Sequence, residues 1–261
     1  IAVHTVASVL LAVIASRLRL QPQVALAAGV LFFLQAGHFR AVHWVSALAY
    51  PLAFVLVAVS LLCFAEHLRR PSWRWLGTTC LAVILAVLSH VAAVAVLPVS
   101  FLLARQHYGN VRQALPSMLP LCGLATITVL ALVIFYPESP QVVQALEETA
   151  AIASAFYVLT LLGRLVTTAH WFFVPPYESQ PWEILTGLVF ICVLIGVFRH
   201  VAELRLWVVW IVAATVPFAT SSPEVASRYL YLPSAGISVL FAWCLERAAS
   251  CLLYTSDAAD E

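Results

Sequence analysis

Ten apolar runs follow one another through this chain, at residues 1–16, 23–36, 44–66, 75–88, 91–104, 118–136, 151–174, 184–198, 206–220 and 229–246, with only short polar connections between most of them. No single feature limits the possible folds more. In hydrocarbon every backbone N–H and C=O must find its partner inside the protein, so only helices and closed barrels can span. The runs are continuous in Leu, Val and Ala and show no alternation of period two, which excludes a transmembrane barrel. Only 10% of residues are charged, against about 25% in soluble domains. The expected fold is therefore all-α: a polytopic transmembrane helical bundle of about nine spans, at ~20 residues each, plus one re-entrant or interfacial outer helix.

Both ends read as foreign to a complete protein. The chain opens at Ile1 inside an apolar run, as expected of a truncated domain covering residues 1–250. Residues 251–261, CLLYTSDAADE, turn abruptly polar and resemble an in-frame sequencing adapter, so they are set aside from the fold. Without them the chain has thirteen Arg, nine Glu, no Lys and no Asp. That balance offers no basic face for tracking a phosphate backbone, and nucleic acid is excluded as a partner. The remaining cysteines lack CxxC spacing and read as small apolar residues.

Arginine placement orients the chain, because cytoplasmic loops accumulate positive charge. The clusters are Arg17/Arg19, Arg69/Arg70/Arg74, Arg105/Arg112, Arg199/Arg205 and Arg247. If residues 151–174 span, the later clusters fall outside. If that run is re-entrant or interfacial, ten arginines lie inside and only Arg40, Arg164 and Arg228 outside, which is the preferred reading. Arg164, with Thr167, Thr168 and His170 close by, also makes a poor centre for a lipid-exposed span. The outer side then gathers the histidines His38, His43, His90 and His170 with most of the glutamates. The histidines lie on separate loops without metal-ligand spacing, so no metal site is expected, and no sequence feature specifies a cofactor. The inner loops read as connections that do no more than set topology.

The stretch Ser227 to Gly236, SRYLYLPSAG, carries the most chemical information. An Arg followed by two tyrosines and a Pro-started, small-residue helix puts Arg228 at the headgroup level above aromatic anchors Tyr229 and Tyr231. It reads either as an interfacial belt or as a guanidinium holding a lipid phosphate in a two-pronged pair.

Three stretches together resemble the membrane domain of the glycosyltransferase-C superfamily, most closely the transmembrane-and-tetratricopeptide-repeat O-mannosyltransferases and uncharacterised bacterial relatives. They are QAGHFRAVHWVSALAYPLA from Gln35, LSHVAAVAVLPVSFLLA from Leu88, and WIVAATVPFATSSPEVASRYLYLPSAG from Trp210. The resemblance implies a multi-pass protein of the bacterial inner membrane. It implies transfer of a sugar from a polyprenyl-phosphate donor to an acceptor on the outer face. The substrate-binding residues it carries over are His38, Trp44, Arg228, Tyr229 and Tyr231. Arg40, which stands where the family has Glu, and His90, near where it has a Lys-Glu pair, are further substrate-binding candidates. The family's base lies in its first outer loop and is expected upstream of Ile1. Two alternatives remain: a non-catalytic protein of the same fold that binds a lipid-linked sugar or a partner, and a transporter or flippase.

Overall fold

In a computed structural model, residues 1–136, 151–167, 181–219 and 227–257 are described. They form eleven α-helices linked by short 3-10 turns, with no strand among them. The helices are α1 (Ala2–Arg17), α2 (Pro22–Leu34), α3 (Phe39–His43), α4 (Ala49–Arg69), α5 (Trp73–Ser89) and α6 (Val96–Tyr108). They continue with α7 (Val111–Phe135), α8 (Ala151–Val166), α9 (Pro181–His200), α10 (Arg205–Ala219) and α11 (Tyr231–Asp257). The all-helical expectation holds for the described residues.

The breaks between helices follow from local chemistry. Gly109, at φ 79°, ends α6 in the left-handed conformation that glycine adopts without steric conflict. The next residue, Asn110, caps α7 by accepting the Gln113 N–H at 2.8 Å. Ser72 caps α5 in the same way through the Arg74 N–H. Pro116 and Pro120 lie inside α7 without ending it.

Five segments are long and apolar enough to cross a membrane: Val45–Arg69, Val91–Tyr108, Val111–Phe135, Pro181–His200 and Ser227–Cys251. The expected nine is thus too many by this measure. Helices α1, α2 and α5 have 16, 13 and 17 residues, and α10 has 15. A straight span needs ~20. The apolar runs are real, but turn residues at their ends shorten the helix that each can form. Helix α11 continues as helical backbone to Asp257, past the change in composition at residue 251.

The arginines gather at one end of the bundle. Arg17 and Arg69 share the Glu66 carboxylate at 3.4 and 3.3 Å. Arg247 reaches Glu203 at 3.6 Å, and Trp243 Nε1 donates to the same carboxylate at 2.6 Å. The later clusters thus join the earlier ones, as the preferred charge reading expects.

Helix α8 stands antiparallel beside α9. Gly163 abuts the Glu183 backbone and Gly187 the Leu159 backbone, so closely that a methyl group at either would strike a carbonyl. Leu161, Leu162 and Leu165 are buried. Arg164 is buried too, its Nε donating to Glu183 Oε1 at 2.7 Å. The charge that made this run a poor lipid-facing span is neutralised inside the protein.

Candidate functional site

The end opposite the arginines carries two adjoining clusters of polar and aromatic side chains. The first joins α1, the Ala36–His38 turn and the start of α11. Ser234 donates its hydroxyl hydrogen to the Tyr231 carbonyl at 2.7 Å. Its oxygen therefore accepts from His38 Nε2 at 2.6 Å, and this arrangement fixes the His38 tautomer. Tyr231 in turn donates its phenol hydrogen to His4 Nδ1 at 2.7 Å, while His4 Nε2 donates to the Phe33 carbonyl at 3.1 Å. Phe32 and Phe54 pack on these rings. Burial, and then the neighbouring His4, hold the His38 pKa well below the usual histidine range. His38 therefore stays neutral and acts through hydrogen bonds. The Gln35 Oε1 is a buried acceptor without a partner, and Gln35 and His38 line a cavity of about 290 Å³ with His4, Phe39 and His43.

The second cluster surrounds Arg228. The guanidinium lies 5.1 Å from the centre of the Tyr229 ring, with Nη2 donating to the Tyr229 hydroxyl at 3.4 Å. It also bonds the Tyr50 side chain. Tyr229 stacks on Phe218 at 5.0 Å, and Tyr50 lies 4.4 Å from the His90 ring. His90 Nδ1 accepts the Ala92 N–H at 3.1 Å and caps the turn before α6. Burial first, then the positive charge of Arg228, lower its pKa to about 4.

No known protein family, curated protein or solved structure matches the chain. The site therefore has to be read from its own geometry.

The structure brings His38, His90, Arg228, Tyr229 and Tyr231 to one end of the bundle. It also corrects the part given to Tyr231. That side chain is 0% exposed, because the first turn of α11 directs it inward onto α1 and α2, where it ties helices together and does not mark an interface. Trp44 is exposed. Arg40 belongs to α3, which packs beside the Ser227–Leu230 turn, but its side chain lies outside the described ones. His170, Glu138, Glu147, Glu148, Glu178 and Glu224 lie outside the described residues. His4, Tyr50, Phe218 and Ser234 were missed. His4 had a signal, a histidine within an otherwise apolar helix; the others look like ordinary span residues until the fold assembles them.

The His90 pKa has a measurable consequence. The unfolded chain takes up this proton near the ordinary 6.5, the folded chain only near about 4. Stability is therefore level above pH ~6.5 and falls as pH drops from there towards 4, by up to about 3 kcal/mol from this group. His90→Asn keeps an acceptor for the cap and removes the proton site. Melting temperatures in detergent at pH 7 and pH 4.5 should differ less for the variant than for the parent. An equal loss in both proteins rules His90 out as the source.

Proposed function

We propose that the chain is a membrane domain of the glycosyltransferase-C type, a piece of an enzyme that takes sugar from a polyprenyl-phosphate donor. Arg228 would hold the donor phosphate. The observation that carries this reading is the setting of Arg228, at the end of the bundle opposite the other arginine clusters and within a wall of Tyr50, Tyr229, Phe218 and His90. A guanidinium there works against the inside preference of positive charge. It supplies the planar donors that a phosphate accepts, while the donor's tail can run along the apolar helix faces below. His38 and Gln35 line the adjoining cavity.

In this reading the arginine-rich end faces the cytoplasm. The five long apolar segments, which include α4, α6, α7, α9 and α11, cross the bilayer, and α8 is re-entrant. Single cysteines at Ser139 and Ser179, in a background without other cysteines, should both react with an impermeant thiol reagent from the side opposite the arginine-rich end. Reaction from opposite sides means that α8 crosses completely and the later helices are inverted.

One observation favours the non-catalytic alternative for this chain. His38 and His90 are both weakened as bases by burial, and Glu183 is engaged by Arg164. None of these three suits the abstraction of a hydroxyl proton at neutral pH. The deciding measurement is saturable binding of a polyprenyl-phosphate sugar to the chain in nanodiscs, followed by transfer assays on the longest available parent. Binding without transfer selects the non-catalytic reading, and absence of binding removes both.

A further inference from the structure

The arginine-rich end contains a built cavity, although its sequence reads as topology-setting loops. Four separate elements close on about 440 Å³: the end of α1, the end of α4, the last turn of α6 and the start of α10. Arg17, Arg19, Arg69 and Arg205 line it, with Trp207 at its wall. The acids nearby do not balance this charge. Glu66 is shared between Arg17 and Arg69, and Glu203 is engaged by Arg247 and Trp243. Arg205 donates to the carbonyls of Phe198 and Arg199 at 2.8 and 3.3 Å, which orients its guanidinium without neutralising it.

A further observation concerns the end of α1. Arg19 occupies a backbone position built for glycine. The Leu20 N–H reaches the Ala15 carbonyl at 3.1 Å and the Arg19 N–H the Ser16 carbonyl at 3.2 Å, so α1 ends in a Schellman motif with Arg19 at its left-handed position, φ 74°. The chain has an arginine where helix termination favours glycine.

We propose that this cavity binds a phosphate-bearing anion, held by the guanidiniums of Arg17, Arg19, Arg69 and Arg205. Guanidiniums pair with phosphate oxygens through charge-assisted, often two-pronged bonds. Basic pockets between membrane helices take anionic lipid headgroups, and the volume admits more than a bare phosphate group. The same chemistry could be met by a soluble phosphate, so the test separates the two sources. This proposal is independent of the Arg228 reading, since the cavity lies at the other end of the bundle.

The full chain is presented in neutral detergent with equimolar dioleoylphosphatidylglycerol and dioleoylphosphatidylcholine, and retained lipid is measured by native mass spectrometry. A second arm titrates inorganic pyrophosphate without lipid. Preferential retention of phosphatidylglycerol identifies a lipid headgroup; pyrophosphate binding without lipid preference identifies a soluble phosphate. Arg19→Gly should weaken whichever ligand binds by about tenfold, roughly 1.4 kcal/mol. It should leave the melting temperature equal or higher, because glycine suits that backbone. Equal retention of both lipids with no pyrophosphate binding overturns the proposal. So does unchanged affinity in Arg19→Gly.

Discussion

Arg164→Ala is expected to destabilise the folded protein by about 3–5 kcal/mol, the usual penalty for leaving one charge of a buried pair uncompensated. The Arg164 and Glu183 side chains are 6% and 2% exposed and 2.7 Å apart. Removing the guanidinium leaves the Glu183 carboxylate in a low-dielectric contact between α8 and α9. Water cannot readily enter, because Gly163 and Gly187 bring the two helices to backbone contact. Glu183→Ala should be comparably harmful for the same reason. The double variant Arg164→Met, Glu183→Leu should recover most of the loss, since an apolar pair needs no charge compensation. Reversible unfolding in mixed micelles measures all four proteins. If Arg164→Ala unfolds within 1 kcal/mol of the parent, on the order of an exposed pair, the two charges are solvated and α8 does not pack as described.

If the proposed donor site holds, Arg228→Gln should weaken binding of a polyprenyl-phosphate sugar by about 1.5–3 kcal/mol, roughly ten- to a hundredfold, the range for hydrogen bonds to charged groups. Gln keeps a donor of similar reach and loses the charge and the planar fork. Arg228→Lys should fall between, because an ammonium restores the charge but pairs as a point. The aromatic wall explains why the substitution should spare the fold: Tyr229 remains stacked on Phe218, and Tyr50 on His90. Binding to the chain in nanodiscs, after correct insertion is established, gives the comparison. Parent-like affinity in Arg228→Gln would make Arg228 an interfacial anchor and withdraw the donor site.

The two predictions differ in how far the sequence led to them. Arg228 was legible directly, since an outward arginine followed by Tyr229 and a Pro-started helix is a local pattern. Tyr231, two residues further on, was read from the same pattern as an interfacial ring, and the structure buries it against His4. The two side chains face different surroundings because one lies in the Ser227–Leu230 turn and the other in the first turn of α11. Arg164 was recognised as misplaced for lipid, but Glu183 lies nineteen residues away, and nothing local links the two. The cavity formed by Arg17, Arg19, Arg69 and Arg205 was invisible for the same reason, as each cluster alone looks like a short charged connection.

The sequence by itself determined that this chain is helical and built of apolar segments, and it left two ways for its arginines to sort between the two ends. Those properties follow from hydrocarbon's demand for internal backbone pairing and from the cost of placing charge within it, and both act on each segment separately. Only the tertiary structure decided which partners neutralise the buried charges, which histidine tautomers the hydroxyls fix, and which helices fall short of a full span. These depend on contacts such as His4 with Tyr231 and Arg164 with Glu183. Hydrogen-bond and ion-pair geometry is set by the close packing of whole helices, and residue order along one helix does not encode the face that its neighbour will present.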